Sequence, residues 1–241
     1  MVEPSAPAEL DVEPTAGDHR AEIGADLLGR FVWRRAAGAA ARETARAGVQ
    51  PEQVILAAVI CCTATFLLWR SGWYWTGIVA ALGFLFLETV ANAIVNEGRW
   101  SRMNDLFTQA IDFVHPPLWW AAWLAGLDEV EHQIETVLGL MVLGAIIFGH
   151  VAVRFVERIF VRRYAMAIHD WRPIDGRFNF VCAARQTNLM ILTLSLLAGR
   201  PDLGIELVAL WTLVSLVFQA VRLAMANDRR AHGEPVTSWL A

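Results

Sequence analysis

The fold is decided by residues 73–95, which read WYWTGIVAALGFLFLETVANAIV. Apart from Glu88 and Asn92 the run is free of strongly polar side chains. It is long enough to cross the hydrocarbon core of a bilayer, which takes about 20 residues in a helix. The whole chain of 241 residues shares this character, with 56% hydrophobic and 18% charged residues, whereas soluble domains average about 45–50% and about 25%. The sequence therefore indicates an integral membrane protein.

Six apolar runs along the chain predict an all-α, polytopic bundle of six transmembrane helices. They cover residues 54–69, 73–95, 106–127, 136–153, 188–198 and 203–226. Residues 1–24 are polar and rich in Pro and acidic side chains, which predicts disorder, and residues 25–50 predict an amphipathic juxtamembrane helix on the membrane surface. A solvated helix joined to the first span is the alternative for 25–50. We thus expect a membrane domain over 51–228 and a tail over 229–241.

The basic residues predict the orientation of the spans, because they accumulate in short cytoplasmic loops. All 20 are Arg. With both termini in the cytoplasm, only Arg70 and Arg200 fall on the outer side. We therefore expect a multi-pass protein of a bacterial inner membrane with both termini cytoplasmic. The net charge of -4 gives no bulk attraction to phosphate backbones and excludes nucleic acid as a partner.

Ionisable side chains inside the predicted second and third spans are the first candidates for a functional site, since such groups are costly in a membrane. Asp105 and Asp112 are seven residues apart and His115 follows three residues later, so all three share one helix face. Glu88 could approach that face from the second span. These oxygen ligands suit a hard divalent cation. The alternative is a polar contact between helices, in which Asp112 pairs with an Arg or a His.

Residues 99–117, which read RWSRMNDLFTQAIDFVHPP, resemble the second half of the CDP-alcohol phosphatidyltransferase signature, D-x2-D-G-x2-A-R-x8-G-x3-D-x3-D. In one branch of that family the last Asp is followed by two apolar residues and His-Pro-Pro, as Asp112 is here. Residues 171–188 are also similar to the loop before the fifth span of that branch. The resemblance implies a six-span enzyme of phospholipid biosynthesis that moves a phosphoalcohol group from a CDP-linked donor to a hydroxyl acceptor, with Mg or Mn ions held by the aspartates.

The other three aspartate positions of the signature are occupied in this chain by Leu87, Val90 and Thr108. The resemblance therefore implies a degenerate member, a pseudoenzyme that acts as a lipid-binding or accessory membrane subunit. One alternative is an active transferase with a rearranged acid set, in which Glu88, Asp105 and Asp112 bind Mg or Mn, and Asp112 and His115 are catalytic. Another alternative is an unrelated transporter or membrane protein.

Basic residues on the cytoplasmic side are predicted to face phosphate groups or lipid. They are Arg158, Arg172, Arg177 and Arg185. Positive-inside topology with contacts to anionic headgroups is the alternative explanation. Arg185 lies close to the predicted fifth span and needs a carboxylate partner, for which Glu88 and Asp175 are the candidates.

The expected partners are membrane lipids, a CDP-linked lipid or alcohol, and a partner membrane subunit or a second copy of the chain. A further expectation concerns three aromatic residues near the outer end of the third span. Trp119, Trp120 and Trp123 are expected to face lipid or the membrane interface, as Trp commonly does.

Overall fold

The computed structural model describes residues 34–96, 102–130 and 134–239 and is all-α over these ranges, with no strand. The helices are α1 (Arg34–Arg46), α2 (Pro51–Arg70), α3 (Tyr74–Asn96), α4 (Arg102–Gly126), α5 (Thr136–Tyr164), α6 (Pro173–Asn179), α7 (Arg185–Leu197) and α8 (Pro201–Ala231). Short 3₁₀ turns follow α4 at Leu127–Val130 and precede α6 at Ile168–Asp170. The predicted disorder of 1–24 and the predicted helix over 25–33 lie outside the described residues.

In the described part of the chain, four helices are long and apolar enough to cross a membrane, and they confirm a multi-pass membrane protein. They are α2, α3 over Tyr74–Val95, α5 and α8. These helices leave large apolar side chains uncovered; Val79 is 70% exposed and Leu140 is 67% exposed. Such faces are stable when lipid covers them, because hydrocarbon takes the place of a protein partner. The six-span arrangement itself stays a prediction, since α4 and α7 are not among the helices of this length and apolar composition.

Helix α7 covers only part of a membrane thickness. Its 13 residues span about 20 Å, against about 30 Å for the hydrocarbon core. It runs antiparallel to α8: Ser195 contacts Gly204 near one end, and the Ala183 N–H donates to the Ser215 hydroxyl near the other, at 2.9 Å. The amino terminus of α7 therefore lies beside the middle of α8 rather than at a membrane surface.

Helices α5 and α8 run parallel and in register. The Tyr164 hydroxyl donates to Asn227 Oδ1 at 2.8 Å, across a separation of 63 residues. Gly149 and Thr212 have the same separation, and a Cβ at position 149 would lie 2.6 Å from Thr212 Cγ2. The helices contain 29 and 31 residues and extend beyond the predicted ends at 153 and 226. Their Arg-rich carboxyl ends therefore lie at the same end of the bundle.

A cluster of four indoles forms the core where α2, α3 and α4 meet, and none of the four is more than 2% exposed. They are Trp69, Trp119, Trp120 and Trp123. The prediction that Trp119, Trp120 and Trp123 face lipid or the interface is wrong. Backbone carbonyls inside the bundle accept two of their N–H groups: Trp119 donates to Cys62 O at 3.2 Å and Trp123 donates to Pro201 O at 3.1 Å. With these donors satisfied, burial of the large rings is favourable.

The described part of helix α1 ends at Arg46, before the predicted end at residue 50, and it packs on protein. Ala37 and Ala41 are 1% and 0% exposed. They form a small core with Val90, Ala91 and Ile94 near the end of α3. Placement of this segment on the membrane surface stays a prediction.

Candidate functional site

The candidate site begins with an ion pair between α3 and α7. Arg185 Nη1 donates to both carboxylate oxygens of Glu88, at 2.9 and 2.8 Å. The two side chains are 22% and 12% exposed, and the guanidinium carbon lies 5.9 Å from the ring centre of Phe84. Arg185 is the first residue of α7, so the pair fixes the start of that helix against α3. Glu88 is thus the partner that the sequence required for Arg185.

His115 lies close to this pair and is 2% exposed. Its Nδ1 is 2.7 Å from the Ile111 carbonyl oxygen. A carbonyl can only accept, so Nδ1 carries the proton and Nε2 is an acceptor in the neutral ring. Among the residues that the structure describes, none is a hydrogen-bond partner of Nε2. The ring is enclosed by Phe84 and Trp119, with centroid distances of 5.5 and 4.8 Å.

Two prolines follow His115, and they do not interrupt the helix. Helix α4 continues through Pro116 and Pro117 to Gly126. Proline removes a backbone donor. Membrane helices nevertheless accommodate it where neighbouring helices surround the backbone. Pro116 is buried here and Pro117 is partly buried.

The predicted metal ligands do not form a described cluster. Glu88 is bound by Arg185, and the side chains of Asp105 and Asp112 lie outside the described residues, so their roles stay predictions. Among the side chains that the structure describes, no group of three or more His, Cys, Asp and Glu could hold a metal ion. Of the predicted ligands, Glu88 has its carboxylate engaged by Arg185 and so does not suit the divalent cations that the family resemblance implies.

The four predicted phosphate-binding arginines lie on different elements of the fold. Arg158 is exposed on α5 and Arg177 is exposed on α6. Arg172 precedes α6, and its guanidinium lies 4.6 Å from the ring centre of Trp171. Arg185 is held in the ion pair with Glu88 described above. Of the four, Arg172 alone lines a cleft near the end of α8.

A second ion pair, which the sequence reasoning missed, joins α6 to α8. Arg222 Nη2 donates to Asp175 Oδ2 at 2.7 Å, and the two side chains are 8% and 0% exposed. The Arg222 guanidinium also lies 4.4 Å from the ring centre of Trp171. Asp175 was one of the two candidate partners for Arg185, and it pairs with Arg222 instead. The sequence contained a signal for this pair. Arg222 lies inside an apolar span and requires a carboxylate partner as much as Arg185 does.

A buried polar stripe on α8 leads from the middle of the bundle to this second pair. It consists of Thr212, Ser215, Gln219 and Arg222, all no more than 7% exposed. Spacings of three and four residues place them on one face. Ser215 satisfies a backbone N–H just before α7, and Gln219 Nε2 lies 3.5 Å from Glu157 Oε1. Ser215 thus provides a hydrogen-bond acceptor for the non-helical backbone before α7, which buried backbone in a membrane bundle requires.

Compared with protein-family models, with curated proteins and with solved structures, the chain matches none of them.

Proposed function

We propose that this chain is a lipid-binding or accessory subunit of a bacterial inner membrane, a degenerate relative of the CDP-alcohol phosphatidyltransferases. One observation carries the proposal. The Glu88 carboxylate, the one predicted metal ligand whose side chain is described, accepts two hydrogen bonds from Arg185. A carboxylate held by a guanidinium is a poor ligand for a divalent cation, because the charge that would offset the metal is already offset by Arg.

The residues that occupy the aspartate positions of the family signature support the same conclusion. Leu87, Val90 and Thr108 stand where the signature has aspartates, and these side chains offer only one hydroxyl among them. Two adjacent cations need several carboxylates to offset their charge. Asp112 alone cannot meet that need. The Glu88–Arg185 pair therefore acts in this proposal as a structural connection between α3 and α7.

A transferase assay tests the proposal directly. The purified chain is incubated with CDP-diacylglycerol, Mg²⁺ or Mn²⁺ and a panel of alcohols, and CMP release is measured. We expect no release above a control without protein. Release that disappears in Asp112→Asn but persists in Asp228→Asn, an exposed carboxylate on α8, would establish the active alternative instead.

Calorimetry gives a second, independent readout. We expect at most one weak Mn²⁺ site and no binding of CDP in its presence. Two coupled Mn²⁺ sites with tight CDP binding would overturn the proposal, and Glu88, Asp105 and Asp112 would then be the first residues to replace.

The proposed orientation has both termini in the cytoplasm. It is supported by the Arg-rich ends that α5 and α8 share, since basic residues favour the cytoplasmic side. Cysteine labelling tests it. A Cys introduced at position 131 should react from outside the cell, and one at position 177, on exposed Arg177, should not. The reverse pattern would invert the topology.

A further inference from the structure

The segment after α8 turns back and binds the loop that precedes α6. Three hydrogen bonds hold it: the Trp239 N–H and the Ser238 hydroxyl donate to the Asp170 carbonyl at 3.0 and 2.9 Å, and Trp239 Nε1 donates to the His169 carbonyl at 3.3 Å. These bonds hold the tail segment, at Ser238 and Trp239, beside the loop.

An open cleft of about 330 Å³ lies between this tail segment and the loop. It is lined by Trp171, Arg172, Arg229, Thr237, Ser238 and Trp239. Its composition combines two guanidinium groups, hydroxyls and indoles. Guanidinium groups bind phosphate through paired N–H donors, which a simple ammonium cannot offer in that geometry.

The two arginines of the cleft differ in their existing partners. The Arg172 guanidinium lies over the Trp171 ring, and no salt bridge joins it to a carboxylate of the described chain. Arg229 donates from Nε to Glu234 at 2.6 Å, and these side chains are 39% and 52% exposed. An anion entering the cleft would meet Arg172 directly and would compete with Glu234 for Arg229.

The depth of the cleft matches the headgroup layer of a membrane. Arg229 lies about 42 Å along the axis of α8 from Pro201, at a rise of about 1.5 Å per residue. If α8 enters the hydrocarbon core at Pro201 with a tilt of about 20°, Arg229 lies about 10 Å beyond the opposite boundary of the core. Indoles are also typical of this layer.

We propose that the cleft binds the phosphomonoester headgroup of an anionic membrane lipid, with Arg172 and Arg229 as the phosphate ligands. The proposal rests on the lipid-binding function proposed above, and it names the ligand and its position. The dianionic headgroup satisfies both guanidinium groups. Its acyl chains reach the apolar surface of the neighbouring helices.

The test uses the full chain in nanodiscs of neutral phosphatidylcholine, titrated with short-chain phosphatidic acid. Parallel titrations use inorganic phosphate and glycerol 3-phosphate at the same ionic strength. The dissociation constant is measured for the unmodified chain, Arg172→Gln, Glu234→Gln and the matched control Arg162→Gln. Arg162 is exposed on α5, and its replacement removes the same charge from the same end of the bundle.

We expect Arg172→Gln to bind the lipid roughly tenfold more weakly, because a charge-assisted pair of hydrogen bonds is lost. Glu234→Gln should bind more tightly, because it frees Arg229. Arg162→Gln should stay within about twofold, since a solvated charge contributes little at a specific site. Thermal unfolding of Arg172→Gln should match the unmodified chain, which shows that the variant is folded.

Equal losses of lipid affinity in Arg172→Gln and Arg162→Gln, or no gain of affinity in Glu234→Gln, would overturn the cleft as the binding site. Either result would leave lipid binding by the basic surface intact. If inorganic phosphate or glycerol 3-phosphate binds as tightly as phosphatidic acid, the ligand of the cleft is a soluble phosphate compound. The proposal that the phosphate belongs to a lipid would then be overturned. If the unmodified chain binds none of the ligands, the proposed lipid-binding function fails as well.

Discussion

Replacing Glu88 with Gln tests whether the ion pair between α3 and α7 supports the bundle. The variant keeps the size of the side chain and removes the charge opposite Arg185. Breaking a buried ion pair from one side costs about 3–5 kcal/mol. Because the Arg185 side chain is 22% exposed and water screens part of its charge, we expect a loss of about 2–3 kcal/mol.

Thermal unfolding in detergent provides the measurement, followed by a thiol-reactive dye that labels the partly buried Cys61, Cys62 and Cys182 as the bundle opens. A loss of 2–3 kcal/mol corresponds to a lower midpoint by about 4–12 °C for a chain of this size. The matched control is Glu157→Gln, whose pair with Arg154 spans 3.5 Å with side chains 37% and 34% exposed. Such pairs contribute about 0–1 kcal/mol. Equal midpoints for the two variants would refute a structural role for the Glu88 pair.

Three further predictions concern other parts of the fold. Asp175→Asn should lower the free energy of unfolding by about 3–5 kcal/mol, since it leaves the buried Arg222 guanidinium without its carboxylate; the same dye assay measures it. Gly126→Ala should cost about 3 kcal/mol, because its Cβ would overlap the Trp69 carbonyl oxygen, and thermal midpoints again report it. The pKa of His232 should lie above 6.5, because its ring hydrogen-bonds the backbone carbonyl four residues earlier and faces the carboxylate of that residue; the stabilisation from its charged form is complete below pH 6.5 and is lost as pH rises through the raised pKa. Carbon-13 NMR of labelled histidine measures this titration.

Matched variants separate these effects from general damage. Gly144→Ala places a Cβ in open space and should not destabilise α5. Asp228→Asn removes a carboxylate whose side chain is 74% exposed, so it should leave the thermal midpoint nearly unchanged. It should also shift the pKa of His232 part of the way back toward 6.5. A midpoint in Asp175→Asn as high as in Asp228→Asn would contradict the proposed importance of the buried pair, and an unshifted His232 pKa would contradict the electrostatic explanation.

The strongly apolar helices were predictable from sequence, because a long uncharged run has few alternatives to crossing a membrane. Residues 73–95 predicted α3 to within a residue or two at each end. The need of Arg185 for a carboxylate also narrowed its partner to Glu88 or Asp175, since an unpaired charge at that position is too costly. Here the physical requirement is local and leaves few candidate residues.

Other features depend on which faces meet, and a single sequence does not contain that information. The preference of Trp for interfaces predicted exposure of Trp119 and Trp123, but the carbonyls of Cys62 and Pro201 satisfy their N–H groups inside the bundle. Asp175 was compatible with two arginines, and only the packing of α6 on α8 selects Arg222. The docked tail, which the structure describes as far as Trp239, has no periodic pattern, so the cleft that it completes was not predictable.

The shortness of α7 has a consequence for how the chain enters the membrane during synthesis. A helix of 13 residues that begins with Arg185 offers little apolar length to an insertion machinery that selects spans by hydrophobicity. Helix α8 is long and apolar. Its Gly204 contacts Ser195 of α7, and its Ser215 accepts a hydrogen bond from Ala183, just before α7. We therefore expect α7 to stay at the membrane surface until α8 has been synthesised. The two helices then insert together as a hairpin. In a nascent chain that stops at Gly199, α7 should accordingly be cleaved by a protease added on the cytoplasmic side. In the complete chain, α7 should be protected.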